Sequence, residues 1–271
     1  MTNAEQTAFV SAVKRLKETF RPGCDLSVYD QYVHLHMMGM MDGNTHNGPA
    51  FLAWHRQFIR NFELELQAID PNVTIPYWDF TVDSLPTSSL WSPEFLGGTG
   101  LEENNYVVMD GPFREGEWIL AFDGPSLRRD LGGAFADRLP SPDDVAAALQ
   151  VPQYDAPPWN NASPIDQSFR CFMQGVNDPS GDAQMHDLVH DWVGGSMVGM
   201  ASPNDPVFWL MHANLDRIWA DWESIWGLTY MPEEGGPPGH NLYDRMYGLG
   251  VTPASVLDHH ALGYYYDTEQ P

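Results

Sequence analysis

The chain has 271 residues, 43% of them hydrophobic, with 10 Trp, 13 Phe and 11 Tyr, enough to fill the core of one large domain. Acidic residues outnumber basic ones 37 to 13, a formal charge of −24, and that field repels nucleic acid and anionic membranes while favouring cationic or neutral ligands. No stretch approaches the ~20 apolar residues that a membrane span needs, no basic segment followed by an apolar run opens the chain, and Cys24 and Cys171 lie in no metal-binding motif.

The expectation is a single domain over 1–271, cytoplasmic unless it is exported with a partner. Thr2 and Glu5 are spaced as a capping box opening a helix to about Phe20, stopped by Arg21-Pro22-Gly23. A second helix is expected from about Ser27 to Met40, then a loop over 41–49. A strongly amphipathic helix follows from about Ala50 to Ile69. Pro71 to Tyr77 reads as short and extended. Residues 81–165 are rich in Gly, Pro and Asp, with few convincing helices, Pro142 to Leu149 being one candidate, and so long an excursion usually carries function or covers a core. A further helix spans about Ala183 to Val193. The last opens with Asp205 as N-cap and Pro206 at the first helical position, and runs to about Trp226. The expected fold is mainly α, a four-helix bundle core with long loops and little β structure.

Helical phase sorts the histidines. His55 shares an apolar stripe with Phe51, Phe58, Ile59 and Phe62, while Arg56, Arg60 and Glu63 fall on the opposite face. His212 shares its stripe with Phe208, Trp209, Leu215 and Trp219. His186 and His190 stand at i and i+4 and project from one face. His34 and His36 lie roughly 200° apart around a helix. The apolar phase selects His36 and leaves His34 with Asp30 towards solvent. A single histidine on an apolar stripe is ordinarily a hydrogen-bonded core residue. Three helices carrying inward histidines point instead to metal, because an imidazole buried without a partner costs roughly 1–3 kcal/mol. Three neutral imidazoles per ion, with no thiolate or carboxylate, suit zinc, copper or iron. A paired set, His36, His46 and His55 with His186, His190 and His212, matches two coppers taking up O2 between them.

Specific segments now carry a resemblance. The run His46-Asn47-Gly48-Pro49-Ala50-Phe51-Leu52-Ala53-Trp54-His55-Arg56 resembles the first copper signature of the tyrosinase family, and Pro76-Tyr77-Trp78-Asp79 matches downstream. Asn204-Asp205-Pro206-Val207-Phe208-Trp209-Leu210-Met211-His212-Ala213-Asn214-Leu215-Asp216 resembles the second. His186 and His190, followed by Trp192-Val193-Gly194-Gly195, also fit, and the order holds from about residue 5 to 267. The chain looks most like the short bacterial tyrosinases of the type 3 copper class. The resemblance implies a copper-dependent polyphenol oxidase, with His36, His46 and His55 on one copper and His186, His190 and His212 on the other. It further implies O2-dependent ortho-hydroxylation of monophenols and oxidation of o-diphenols to o-quinones through a coupled dicopper-peroxide, chemistry that serves melanin formation. Tyr264-Tyr265-Tyr266 resembles the motif closing the family's core domain, and Arg56 and Asp205 match a pair that ties the two copper helices together.

The chain also departs from the family. Relatives often carry Asn after the first histidine of the second site and a Glu upstream, a pair thought to hold a proton-accepting water. Here Asp187 and Gln174 take those places, so Asp187 is the expected proton acceptor, the alternative being a hydrogen bond to a ligand imidazole. Asp191, near the expected substrate mouth, favours cationic or neutral phenols such as tyramine, and Val198 is expected to border the pocket. Met211 stands where relatives often have a histidine and is expected to serve packing. Asn44 replaces the cysteine that some relatives crosslink to a histidine. His240, His259 and His260 are expected at the surface. The two cysteines are expected to be free and buried. A small copper-delivery protein of the caddie kind is an implied partner. The alternatives are a catechol or o-aminophenol oxidase with weak or no monophenolase activity, and a hemocyanin-like O2 carrier.

Overall fold

The computed structural model describes residues 1–43, 45–175 and 185–269. Its helices are α1 (Asn3–Glu18), α2 (Val28–Met41), α3 (Phe51–Ile69), α4 (Pro142–Leu149), α5 (Phe169–Gln174), α6 (Met185–Val193) and α7 (Val207–Trp226). Among the described residues there is no β-strand, only three isolated bridges. No helix among them is long and apolar enough to cross a membrane. The architecture is the mainly helical one expected.

Local chemistry sets the helix ends. At α1 the Glu5 amide donates to the Thr2 hydroxyl at 3.3 Å and the Thr2 amide to the Glu5 carboxylate at 2.6 Å, the reciprocal cap read from the sequence. At α7 the Asp205 carboxylate accepts from the Val207 amide at 3.0 Å. Helix α5 has no counterpart in the sequence reading, because six residues are too few to show a period. Its ends explain it: the Ser168 hydroxyl accepts from the Cys171 amide at 2.9 Å, and Gly175 stops the helix in the left-handed region at φ +92°. The start expected for α6 at Ala183, and Asn44, lie outside the described residues.

The chain divides into two compact units. The first comprises Met1–Met38, Asn61–Leu139 and Val189–Met211. Its core joins α2, α3 and α7 through Tyr29, Phe62 and Trp209. The Phe62 and Trp209 rings stack at 3.6 Å, Tyr29 meets Phe62 edge-on at 5.6 Å, and the Tyr29 hydroxyl donates to the Pro203 carbonyl. Arg129 clamps Asp205 with two bonds of 2.7 Å, both side chains fully buried. The expected Arg56–Asp205 tie is therefore corrected: Asp205 is held by Arg129. Asp30 is corrected too. It is buried, bound by Lys17 and by the Ser27 hydroxyl, rather than facing solvent, whereas His34 is exposed as expected.

The second unit comprises Gly39–Arg60, Pro140–Leu188 and His212–Pro271. At its centre is Arg56, placed on the outer face by helical phase but fully buried. Its guanidinium bonds Asp216 at 2.6 Å and Glu223 at 2.9 Å, and lies 3.6 Å from the Trp219 ring centre. A charge outside the apolar stripe can thus be buried where two carboxylates and an aromatic face wait for it. The Tyr264 and Tyr266 hydroxyls each donate to the other Asp216 oxygen at 2.5 Å. Arg170 and Asp155 form a second fully buried pair. Cys171 is buried and in no disulfide, as expected, whereas Cys24, also in none, is exposed.

Candidate metal centre

The structure gathers the two histidine sets. In each of the groups His36–His46–His55 and His186–His190–His212 the ligand atoms lie within 4.8 Å of one another, and all six residues are buried. Helices α2, α3, α6 and α7 carry five of the imidazoles, and the loop before α3 carries His46. Within the second unit the two groups come face to face. The His55 and His212 rings stack at 4.3 Å and 8°, and His186 lies 5.1 Å from His212 and 5.8 Å from His46. In the first unit Phe208 stands beside His36 at 5.1 Å and His190 at 6.1 Å.

Which nitrogen faces inward is fixed from behind. A carbonyl or carboxylate oxygen only accepts, so the ring nitrogen bonded to it must carry the proton, leaving the other with its lone pair. His36 Nδ1 donates to the Met200 carbonyl at 2.8 Å and His55 Nδ1 to the Phe51 carbonyl at 2.8 Å. His190 Nδ1 donates to the Met197 carbonyl at 2.6 Å, and His186 Nδ1 to the Asp187 carboxylate at 2.6 Å. His46 Nδ1 meets the Thr45 hydroxyl at 2.9 Å. The buried Nε2 atoms of His36, His55, His186 and His190 take part in no hydrogen bond. Burial pushes the His186 imidazole down to about 3, so it stays neutral through the physiological range. Neutral imidazoles with converging lone pairs are a donor set for a borderline metal, and copper fits it.

A frame that sequence inspection did not find supports these rings. The loop after α6 supplies the carbonyls of Met197 and Met200, one for a histidine of each group. Val198 sits between them, 44% exposed. Nothing in the sequence marks a backbone carbonyl, so this role was illegible there. Asn47, next to His46, is left-handed at φ +62° and held by Gln174, which accepts from its amide at 3.1 Å and donates to its side chain at 2.8 Å. His240 is corrected from surface to buried. Its ring accepts from the Ala50 amide at 3.2 Å and contacts the Gly43 carbonyl at 3.3 Å, spanning the loop that carries His46. A Cβ at Gly48 would come within 2.7 Å of that ring, so the loop needs glycine there. His259 is also buried rather than at the surface, while His260 is exposed as expected. Met211 is buried in α7, in keeping with a packing role. Asp187 and Asp191 are half-buried on α6.

Residues 26–225 match the model of the common central domain of tyrosinase. The chain is 41% identical to a tyrosinase of Streptomyces glaucescens, covering 99% of this chain and 97% of that one. It is 39% identical to a tyrosinase of Streptomyces antibioticus, covering 96% and 94%. Among solved structures it resembles a polyphenol oxidase from Thermothelomyces thermophila, with a TM-score of 0.72 and 24% identity over 95% of this chain and 84% of the other.

Proposed function

The chain belongs to the tyrosinase family, and from that membership we propose that its six buried histidines hold two copper ions for the O2-dependent oxidation of phenols. It is a copper-dependent oxidoreductase of that class. The observation that carries the ligand assignment is the pair of converging triads, with Nδ1 engaged from behind in five of the six rings. His36, His46 and His55 hold one ion; His186, His190 and His212 hold the other. Copper bound there supplies the electron transfer and O2 activation by which a monophenol gains an ortho hydroxyl and an o-diphenol becomes an o-quinone.

The protein holds the rings, excludes water and handles protons. A phenol hydroxyl has a pKa of about 10 and must lose its proton on binding. Asp187 is the acceptor in our reading. One oxygen accepts from His186 Nδ1 and fixes that tautomer, and the side chain is 32% exposed, within reach of solvent beside a ligand of the second triad. Gln174 is an amide bound to Asn47 and cannot take a proton; it braces the His46 loop. Asp187→Asn should lower the rate on a monophenol more than on the matching catechol. An unchanged ratio of the two rates would remove Asp187 from the proton path.

Asp191 and the charge of −24 favour cationic phenols, with Val198 bordering the substrate mouth. Tyramine should show a higher kcat/KM than tyrosine, and Asp191→Asn should narrow the gap. Equal values in the wild type would overturn this preference. The narrower alternative is an oxidase of catechols or o-aminophenols with weak or no monophenolase activity; it is supported by Gln174 being an amide that cannot take a proton. The ligands are at most 9% exposed, a burial that favours assisted ion entry. A small copper-delivery protein is the proposed partner, with export in its company. Oxygen uptake by the copper-loaded chain on matched monophenol, catechol and o-aminophenol substrates separates these readings. Uptake on catechol supports the proposal, and reversible O2 binding without uptake would mark a carrier.

A further inference from the structure

Outside the two triads, one more group of metal-ligating side chains converges. His259, His260 and Glu269 offer ligand atoms within 4.8 Å of one another. His259 Nε2 meets one oxygen of Glu269 at 2.5 Å, and His260 Nε2 meets the other at 2.8 Å. The neighbouring imidazoles face each other at 4.3 Å. We propose that His259, His260 and Glu269 form a third metal site, separate from the copper triads, that takes a single divalent ion of the zinc class.

The donor set is two imidazoles and one carboxylate, a combination that binds borderline divalent ions and leaves coordination positions to water. Zinc–nitrogen and zinc–oxygen bonds of ~2.0–2.2 Å in a tetrahedral arrangement set ligand atoms about 3.3–3.5 Å apart, so these donors would open by roughly 0.5–1 Å as the ion enters. One ligand is fixed and one is accessible. His259 is buried, its ring 5.4 Å from Tyr264 and 6.0 Å from Tyr266, so its orientation is set before any ion arrives. The His260 side chain is 62% exposed and gives the entry path. The field favours a cation: Asp258 acts on His260 and Asp221 lies within electrostatic reach of Glu269. On binding, both Nε2 atoms give up the protons now shared with the carboxylate, so protons leave as the ion enters and affinity falls with pH.

The ion would close a short loop, residues 259 to 269, around two structurally important side chains. Tyr264 and Tyr266 lie inside that loop, and both hold Asp216, which holds Arg56, the residue after His55. A clip at 259–269 therefore braces the side of the second unit that supports His55 and His212.

Equilibrium dialysis of the copper-loaded chain against zinc, with both metals counted, tests the proposal. The expected result is one zinc per chain with two coppers retained, at neutral pH and lost on acidification. His260→Ala, at an exposed position, and Glu269→Gln should each weaken zinc binding by about a hundred-fold or more while leaving copper at two. Zinc should raise the unfolding temperature of the wild type and not of His260→Ala. No zinc beyond the two coppers, or zinc uptake unchanged in both variants, would overturn the third site. The copper count separates this outcome from any failure of the oxidase reading.

Discussion

The two histidine triads look alike in sequence and differ in what holds them. Around His36, His46 and His55 the supporting groups are neutral: two backbone carbonyls and the Thr45 hydroxyl. Around His186, His190 and His212 one support is a carboxylate, that of Asp187. A carboxylate behind an imidazole makes the ring a stronger donor than a carbonyl does. His212 stacks against His55 of the other triad at 4.3 Å. The second triad therefore contains a donor strengthened by a charge, where the observed supports of the first are all neutral. The lesson is that equal ligands do not make equal sites; the groups behind the ligands set the difference.

The comparison can be broken at its ligands, with the largest effect. His55→Ala and His212→Ala remove one partner of the stacked pair, one from each triad. Each should cost one copper equivalent, read by metal analysis, and lower catechol oxidation by about three orders of magnitude or more. The next test breaks a fold element common to both. Arg56→Met leaves Asp216 and Glu223 buried without their guanidinium and should destabilise the chain by about 3–5 kcal/mol in urea unfolding. It should not change which triad binds copper more tightly. The supports sharpen the contrast directly. Asp187→Asn should weaken the second ion by about 10–100-fold, and Thr45→Val should act on the first ion and by less, both read in copper competition titrations.

The smallest effect is on pH. Burial lowers the His186 imidazole from 6.5 to about 3 in the folded chain. The unfolded chain then binds that proton more readily. Stability from this residue is complete above pH 6.5 and drains away as the pH falls towards 3. Metal-free protein should lose stability over that window, and His186→Asn should flatten the loss in acid titrations followed by circular dichroism.

Much of the site is legible in the sequence. Helical phase chose His36 over His34 and put His55 and His212 inward, because the apolar stripe and the ligands share one face. The ends of α1 and α7 followed from capping side chains at fixed spacing. Phase failed at Arg56, since it reports which face is apolar and not whether carboxylates arrive from 160 residues away to bury a charge. His240 and His259 are expected at the surface because they fall in the irregular tail, where phase has nothing to report. Both sit in irregular sequence with no period, and their burial depends on loops meeting far along the chain. The carbonyls of Met197 and Met200 were beyond sequence reading in principle, because any residue supplies one.

The most direct measurement of the central claim is the metal content of the copper-reconstituted chain alongside its oxygen uptake on catechol. Two coppers per chain are expected, with uptake that requires both and is lost in His55→Ala and in His212→Ala. A single copper at full activity, or uptake that survives loss of either triad, would contradict a paired copper centre built from these six histidines.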